Sequence, residues 1–105
     1  MMTKPYDVYI EPDVHAQRKD LPGHLRQRVR RLINELANQP RPYNSKVLDA
    51  IGIDLPLTVE IRRLRIEQWR IIYYINEEER LVWVWAIRKR PPYDYEDITM
   101  LLEQL

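Results

Sequence analysis

An α+β domain with elements in the order β-α-α-β-β-β-α is the fold class this 105-residue sequence predicts. Three observations carry that prediction. Trp69 to Ile75 and Leu81 to Arg88 alternate β-branched and aromatic residues at strand period about the polar turn Asn76 to Arg80. Between Pro22 and Pro40, Leu25, Val29, Leu32, Ile33 and Leu36 recur at helical spacing. Near the end of the chain Ile98, Leu101, Leu102 and Leu105 do so again. The expected architecture is an antiparallel sheet with a helical hairpin packed on one face and a C-terminal helix, all within one domain spanning 1–105.

Taken in order, Tyr6, Val8 and Ile10 alternate with Asp7 and Tyr9 as a first strand, closed by Glu11-Pro12. Pro12-Asp13 opens a short helix running to about Leu21, because proline fits the first turn and an acidic side chain there meets the positive end of the helix dipole. Pro22 opens the longer helix, which Gln39-Pro40-Arg41-Pro42 stops. Proline, Asn, Ser, Gly and Asp punctuate 40–56, predicting a loop that contains Lys46. Thr58 to Leu64 resumes alternation, with Val59 and Ile61 on one side. Ile61-Arg62-Arg63-Leu64 breaks the phase, which predicts a bulge or a strand end at Arg62-Arg63. The hairpin strands follow. Trp69, Ile71, Tyr73 and Ile75 share one face and Arg70, Ile72 and Tyr74 the other; Leu81, Trp83, Trp85 and Ile87 alternate with Val82, Val84, Ala86 and Arg88. With both faces apolar, this hairpin belongs at the centre of a covered sheet. Arg70 and Arg88 are then charges on otherwise apolar strand faces, where a functional cation would be held rigidly. Asp94 to Leu105 is expected to form the terminal helix, and the first strand to join an edge of the three later ones.

Composition narrows the chemistry. The absence of cysteine excludes disulfides, cysteine nucleophiles and cysteine-ligated clusters, and two histidines, His15 and His24, make a poor metal site. The chain has no leader-like N-terminus and no apolar run of membrane-span length, so a soluble cytoplasmic protein is expected. The net charge is only +1. It divides as +3 over residues 1–52 (9 Lys+Arg, 6 Asp+Glu) and −2 over 53–105 (8 and 10). Nucleic-acid binding would therefore need local clusters rather than bulk charge, and arginine, which dominates the cations, is the side chain suited to bidentate phosphate contacts.

Several segments carry a resemblance over nearly the whole chain: Tyr6-Asp7-Val8-Tyr9-Ile10, Leu21-Pro22-Gly23-His24-Leu25-Arg26, the helix end at Leu36 to Pro42, and Ile61-Arg62-Arg63-Leu64. The most specific is Trp69-Arg70-Ile71-Ile72-Tyr73-Tyr74-Ile75, followed by a closing strand into Arg88-Lys89-Arg90 with tyrosines nearby. In these the sequence resembles the RelE/ParE toxin superfamily of bacterial type II toxin–antitoxin systems. RelE-like members are ribosome-dependent endoribonucleases that cut mRNA; ParE-like members share the fold and poison DNA gyrase.

What the resemblance implies is an mRNA endoribonuclease that needs no metal or cofactor and works with Arg, Lys and Tyr in place of histidines. Its partners would be a cognate antitoxin protein, the ribosome and mRNA. The alternatives are a gyrase inhibitor or an inactive antitoxin-binding relative. Position by position, Arg70 matches the strand arginine that contacts phosphate and Arg90 the arginine at the end of the last strand. Arg62, or Arg63 if the register shifts, matches a basic residue on the second strand. Tyr95 or Tyr93 stands where the family places a catalytic tyrosine. Arg88, Lys89 and Lys46 are further phosphate-binding candidates. A second lysine position of the family falls near Glu60 or Ile61 here.

Overall fold

The computed structural model describes residues 5–48 and 57–89, and within them five strands form one sheet in the order β1-β5-β4-β3-β2. The strands are β1 (Asp7–Ile10), β2 (Ser45–Val47), β3 (Val59–Ile66), β4 (Trp69–Asn76) and β5 (Leu81–Lys89), with α1 (Pro12–Lys19) and α2 (Gly23–Glu35) between β1 and β2. The hairpin β4–β5 occupies the middle of the sheet, as its two apolar faces require. β2 to β5 form an antiparallel meander, whereas β1 runs parallel to β5, with Tyr9 opposite Trp83. The sheet is therefore mixed, not purely antiparallel as predicted. An edge strand shows the same alternation whichever way it runs, so the direction of β1 is set by the helical crossover that follows it.

The two helices cover one face. Pro12 starts α1 and Asp13 lies in its first turn, while Arg18 and Lys19 end it with the charge the dipole prefers. Leu25, Val29 and Ile33 form the buried stripe of α2. They meet Val14 and Leu21 and the side chains Leu64, Ile66, Ile71, Tyr73, Ile75, Val82, Val84 and Ile87 in one core. Burial of each such aliphatic side chain contributes about 1.5–3 kcal/mol over leaving it in water. A second, smaller cluster of Leu48, Ile61, Ile72, Trp85 and Ala86, with Tyr74 and Trp83 against it, lies on the opposite face. That face, on the side of the sheet away from α1 and α2, is called the open face below, although Ile61, Ile72, Trp85 and Ala86 on it are themselves buried.

Three further differences from the sequence reading matter for the site. The predicted loop 40–56 contains β2, which pairs Lys46 with Arg63. β3 runs unbroken past Arg62-Arg63 to Ile66, paired residue by residue with β4. Its apparent phase break arises because Ile61 packs on the open face while Leu64 and Ile66 pack under the helices. The irregularity lies instead in β5: Ile72 pairs with Ala86 and Tyr73 with Val84, so Trp85 is an extra residue. The bulge inverts the alternation, and Ile87 joins Val82 and Val84 on the helix face. The predicted terminal helix 94–105 lies outside the described residues.

A candidate phosphate-binding face

Strand register sets three arginines side by side. Arg65 on β3 stands opposite Arg70 on β4, and Arg70 opposite Arg88 on β5, all on the open face. Strands lie about 4.8 Å apart, so the row crosses about 10 Å of sheet. The bulge at Trp85 is what completes it. In uninterrupted alternation Arg88 would share a face with Val82 and Val84 under the helices; one extra residue turns it toward Arg70. Along β3, Arg63 stands two residues from Arg65 on the same face, and Lys46 pairs with it from β2.

Lys46, Arg63, Arg65 and Arg70 line one cleft of about 400 Å³, together with Tyr43 and Asn44. Arg70 is its fixed floor. The side chain is only 3% exposed, and its Nη1 donates to the carbonyl oxygens of Trp69 at 2.8 Å and Glu67 at 3.2 Å. Arg88 Nη1 likewise donates to Ile87 O at 3.2 Å. Lys46 and Arg65 are exposed.

Two described acids near this end of the sheet have partners of their own. Glu60, on the helix side of β3, accepts from Arg41 Nε at 2.7 Å and Arg62 Nη1 at 3.2 Å. Glu67, in the β3–β4 turn, meets His24 Nε2 at 3.2 Å. The cleft is thus a concentration of guanidinium and ammonium groups, able to bind phosphate oxygens bidentately and to stabilise charge developing on phosphorus. Among the described residues no group of three or more acidic or histidine side chains could hold a metal ion.

The sequence-predicted residues divide clearly. Arg70, Arg63, Arg88 and Lys46 come together. Arg62 does not: it pairs with Tyr73 on the helix face, where its Nε donates to Ser45 Oγ at 3.1 Å and its Nη2 to Ser45 O at 3.3 Å, tying β2 to β3. Lys89 pairs with Trp69 and faces the helix side as well. Arg90, Tyr93 and Tyr95 lie outside the described residues. Arg65, Tyr43 and Asn44 were missed. Arg65 was legible, standing at strand spacing from Arg63 once β3 is read without a break.

Residues 8–91 match the model of a family described as the ParE toxin of the type II toxin–antitoxin system. No curated protein sequence matches the chain. Among solved structures, a chain of the archaeal RelE–RelB complex from Pyrococcus horikoshii is similar with a TM-score of 0.72 and 20% identity, over 85% of this chain and 99% of that one. A chain of the RelBE2 toxin–antitoxin complex from Mycobacterium tuberculosis gives 0.62 at 21% identity, over 82% and 99%. A free E. coli RelE mutant gives 0.61 at 16% identity, over 96% and 98%.

Proposed function

The chain belongs to the ParE toxin family of type II toxin–antitoxin systems, and we propose that within it this protein is a ribosome-dependent mRNA endoribonuclease that inhibits translation in the cytoplasm. The observation that carries the reading is the in-register row Arg65–Arg70–Arg88 beside Lys46 and Arg63. A row of arginines with buried, anchored Arg70 at its centre suits a phosphodiester better than a flat protein contact.

In the proposed reaction the 2′-oxygen of one nucleotide attacks the adjacent phosphorus, losing its proton to a base, while the bond to the 5′-oxygen breaks and that oxygen takes a proton from an acid. Arg63, Arg65 and Arg70 bind the non-bridging oxygens and hold the charge that grows on them. A preorganised donor of this kind is worth about 10²–10³ in rate. Lys46 adds charge at the edge, and Arg90 with Tyr95 or Tyr93 complete the set, the tyrosine serving in proton transfer. A positioned acid or base contributes about 10²–10⁴. The P. horikoshii structure is a RelE–RelB complex and the M. tuberculosis structure a toxin–antitoxin complex, which supports a small antitoxin protein as the cognate partner here.

The test is primer extension on an mRNA during in vitro translation, with a parallel reaction lacking ribosomes. New 5′ ends that require ribosomes support the reading. An intact message sinks it. The second reading, gyrase inhibition, is favoured by the match to a family model that bears the ParE name; an intact message together with blocked DNA supercoiling would select it.

A further inference from the structure

The turn between α2 and β2 is fastened at several points and presents one aromatic ring to solvent. Tyr73 Oη donates to Pro40 O at 2.7 Å. Ser45 donates to Pro42 O from its backbone N–H at 2.9 Å and from Oγ at 2.7 Å. Asn44 Nδ2 donates to Arg65 O at 3.2 Å, and Arg65 N–H to Asn44 O at 3.1 Å. Arg62 grips Ser45 from behind. Pro40 and Pro42 remove further backbone freedom. In the middle of this rigid turn Tyr43 is 100% exposed. Among the described residues, the large apolar side chains that stand exposed are Tyr9, Tyr43, Val47 and Leu57, and of these Tyr43 alone lines the cationic cleft.

A fully solvated ring gives the fold almost nothing, yet the backbone beneath it is held still. An amphipathic ring presented from a rigid turn beside a cluster of cations suits the binding of a single nucleic-acid strand. The cations take the phosphates and the ring takes a base face, at low conformational cost because the turn is already ordered. We propose that Tyr43 is a base-stacking residue that seats a nucleobase next to the phosphate held by Arg63, Arg65 and Arg70. The proposal rests on the reading of this cleft as an RNA site and adds what that site does with the base. Stacking uses the ring and not the hydroxyl, so Tyr43→Phe retains the function and Tyr43→Ala loses it.

The test uses the full chain and a fluorescent single-stranded RNA hexamer whose 2′-O-methyl groups prevent cleavage, alongside a hexamer of the same backbone lacking bases. Binding is followed by anisotropy at low salt. The wild type and Tyr43→Phe are expected to prefer the base-bearing strand by roughly fivefold or more, and Tyr43→Ala to bind both strands alike. Unchanged preference in Tyr43→Ala overturns the stacking role, as does a wild type indifferent to bases; in either case phosphate binding survives. Equal loss in the Phe and Ala variants overturns it too, by moving the role to the hydroxyl. Failure of the wild type to bind either strand overturns both the RNA reading of the cleft and this proposal.

Discussion

Arg88 stands opposite Arg70 because Trp85 is inserted as an extra residue between the paired positions Val84 and Ala86 of β5. Two residues on a regular strand would keep the charge under the helices; the bulge moves it to the open face. β-bulges are common where a side chain must be re-aimed beside a site. Here the re-aimed group completes a row of three cations.

Arg88 and its neighbour Lys89 therefore differ in consequence despite adjacent positions and equal charge. Arg88→Ala is expected to lower mRNA cleavage at least tenfold, while Lys89→Ala leaves it within about twofold. Cleavage rates on programmed ribosomes compare the two. Equal losses would show that net charge, and not the face, matters.

Arg62 and Arg63 separate in the same way. Arg62 holds Ser45 and Glu60 on the helix side, so Arg62→Ala is expected to destabilise the fold by about 1–3 kcal/mol through the partners it leaves behind. Arg63→Ala is expected to weaken strand binding more than Arg62→Ala does. Urea denaturation and RNA anisotropy, run on both variants, give the pattern; a reversed pattern would place Arg62 in the cleft.

Tyr73 joins the core to the turn that carries Tyr43. Its hydroxyl is buried on Pro40 O, and Tyr73→Phe is expected to cost about 1–3 kcal/mol. Burial also raises its phenol above the ordinary value of 10. Because the folded state holds the proton more tightly than the unfolded chain, this contribution is fully present below pH 10 and is lost as the pH rises through the folded-state value. Stability curves for the two proteins should converge at high pH; parallel curves would contradict the assignment.

At the far end of the sheet, Glu77 accepts from Tyr6 Oη at 2.7 Å and pairs with Arg41. The Tyr6 hydrogen bond first, then Arg41, hold its carboxyl below the ordinary 4.5. The folded value is depressed, so the stabilisation is present above pH 4.5 and is lost as the pH falls through the folded value. In Tyr6→Phe the Glu77 resonance, followed by carboxyl carbon NMR, should titrate closer to 4.5. An unmoved midpoint would mean that Arg41 alone sets it.

The legible and illegible parts of the molecule have physical causes. Trp69 to Ile75 announced its two faces because Arg70 interrupts one of them; the structure puts Ile71, Tyr73 and Ile75 under the helices and Ile72 with Tyr74 on the open face. In β5 both phases are apolar, so an inserted residue leaves no trace in the pattern, and the bulge at Trp85 was invisible. β2 is three residues long with proline and asparagine ahead of it, too short for alternation to stand out. At Arg62-Arg63 the misreading had a definite source. Ile61 and Leu64 are buried on opposite faces of one regular strand, and three-residue spacing between apolar residues mimics a bulge. Reading β3 as regular brings Arg65 into line with Arg63 and Arg70.

Arg65 is the member of the row that tests the account most directly, because it is exposed and its removal leaves the core intact. Relieving the like charge opposite Arg70 should leave Arg65→Gln as stable as the wild type or more stable, by up to about 1 kcal/mol. The measurement is the rate of ribosome-dependent mRNA cleavage by Arg65→Gln, read by primer extension beside the wild type. The cationic row as the catalytic face predicts a fall of about 10²-fold in a protein that has lost no stability. A folded Arg65→Gln that cuts at the wild-type rate would contradict it.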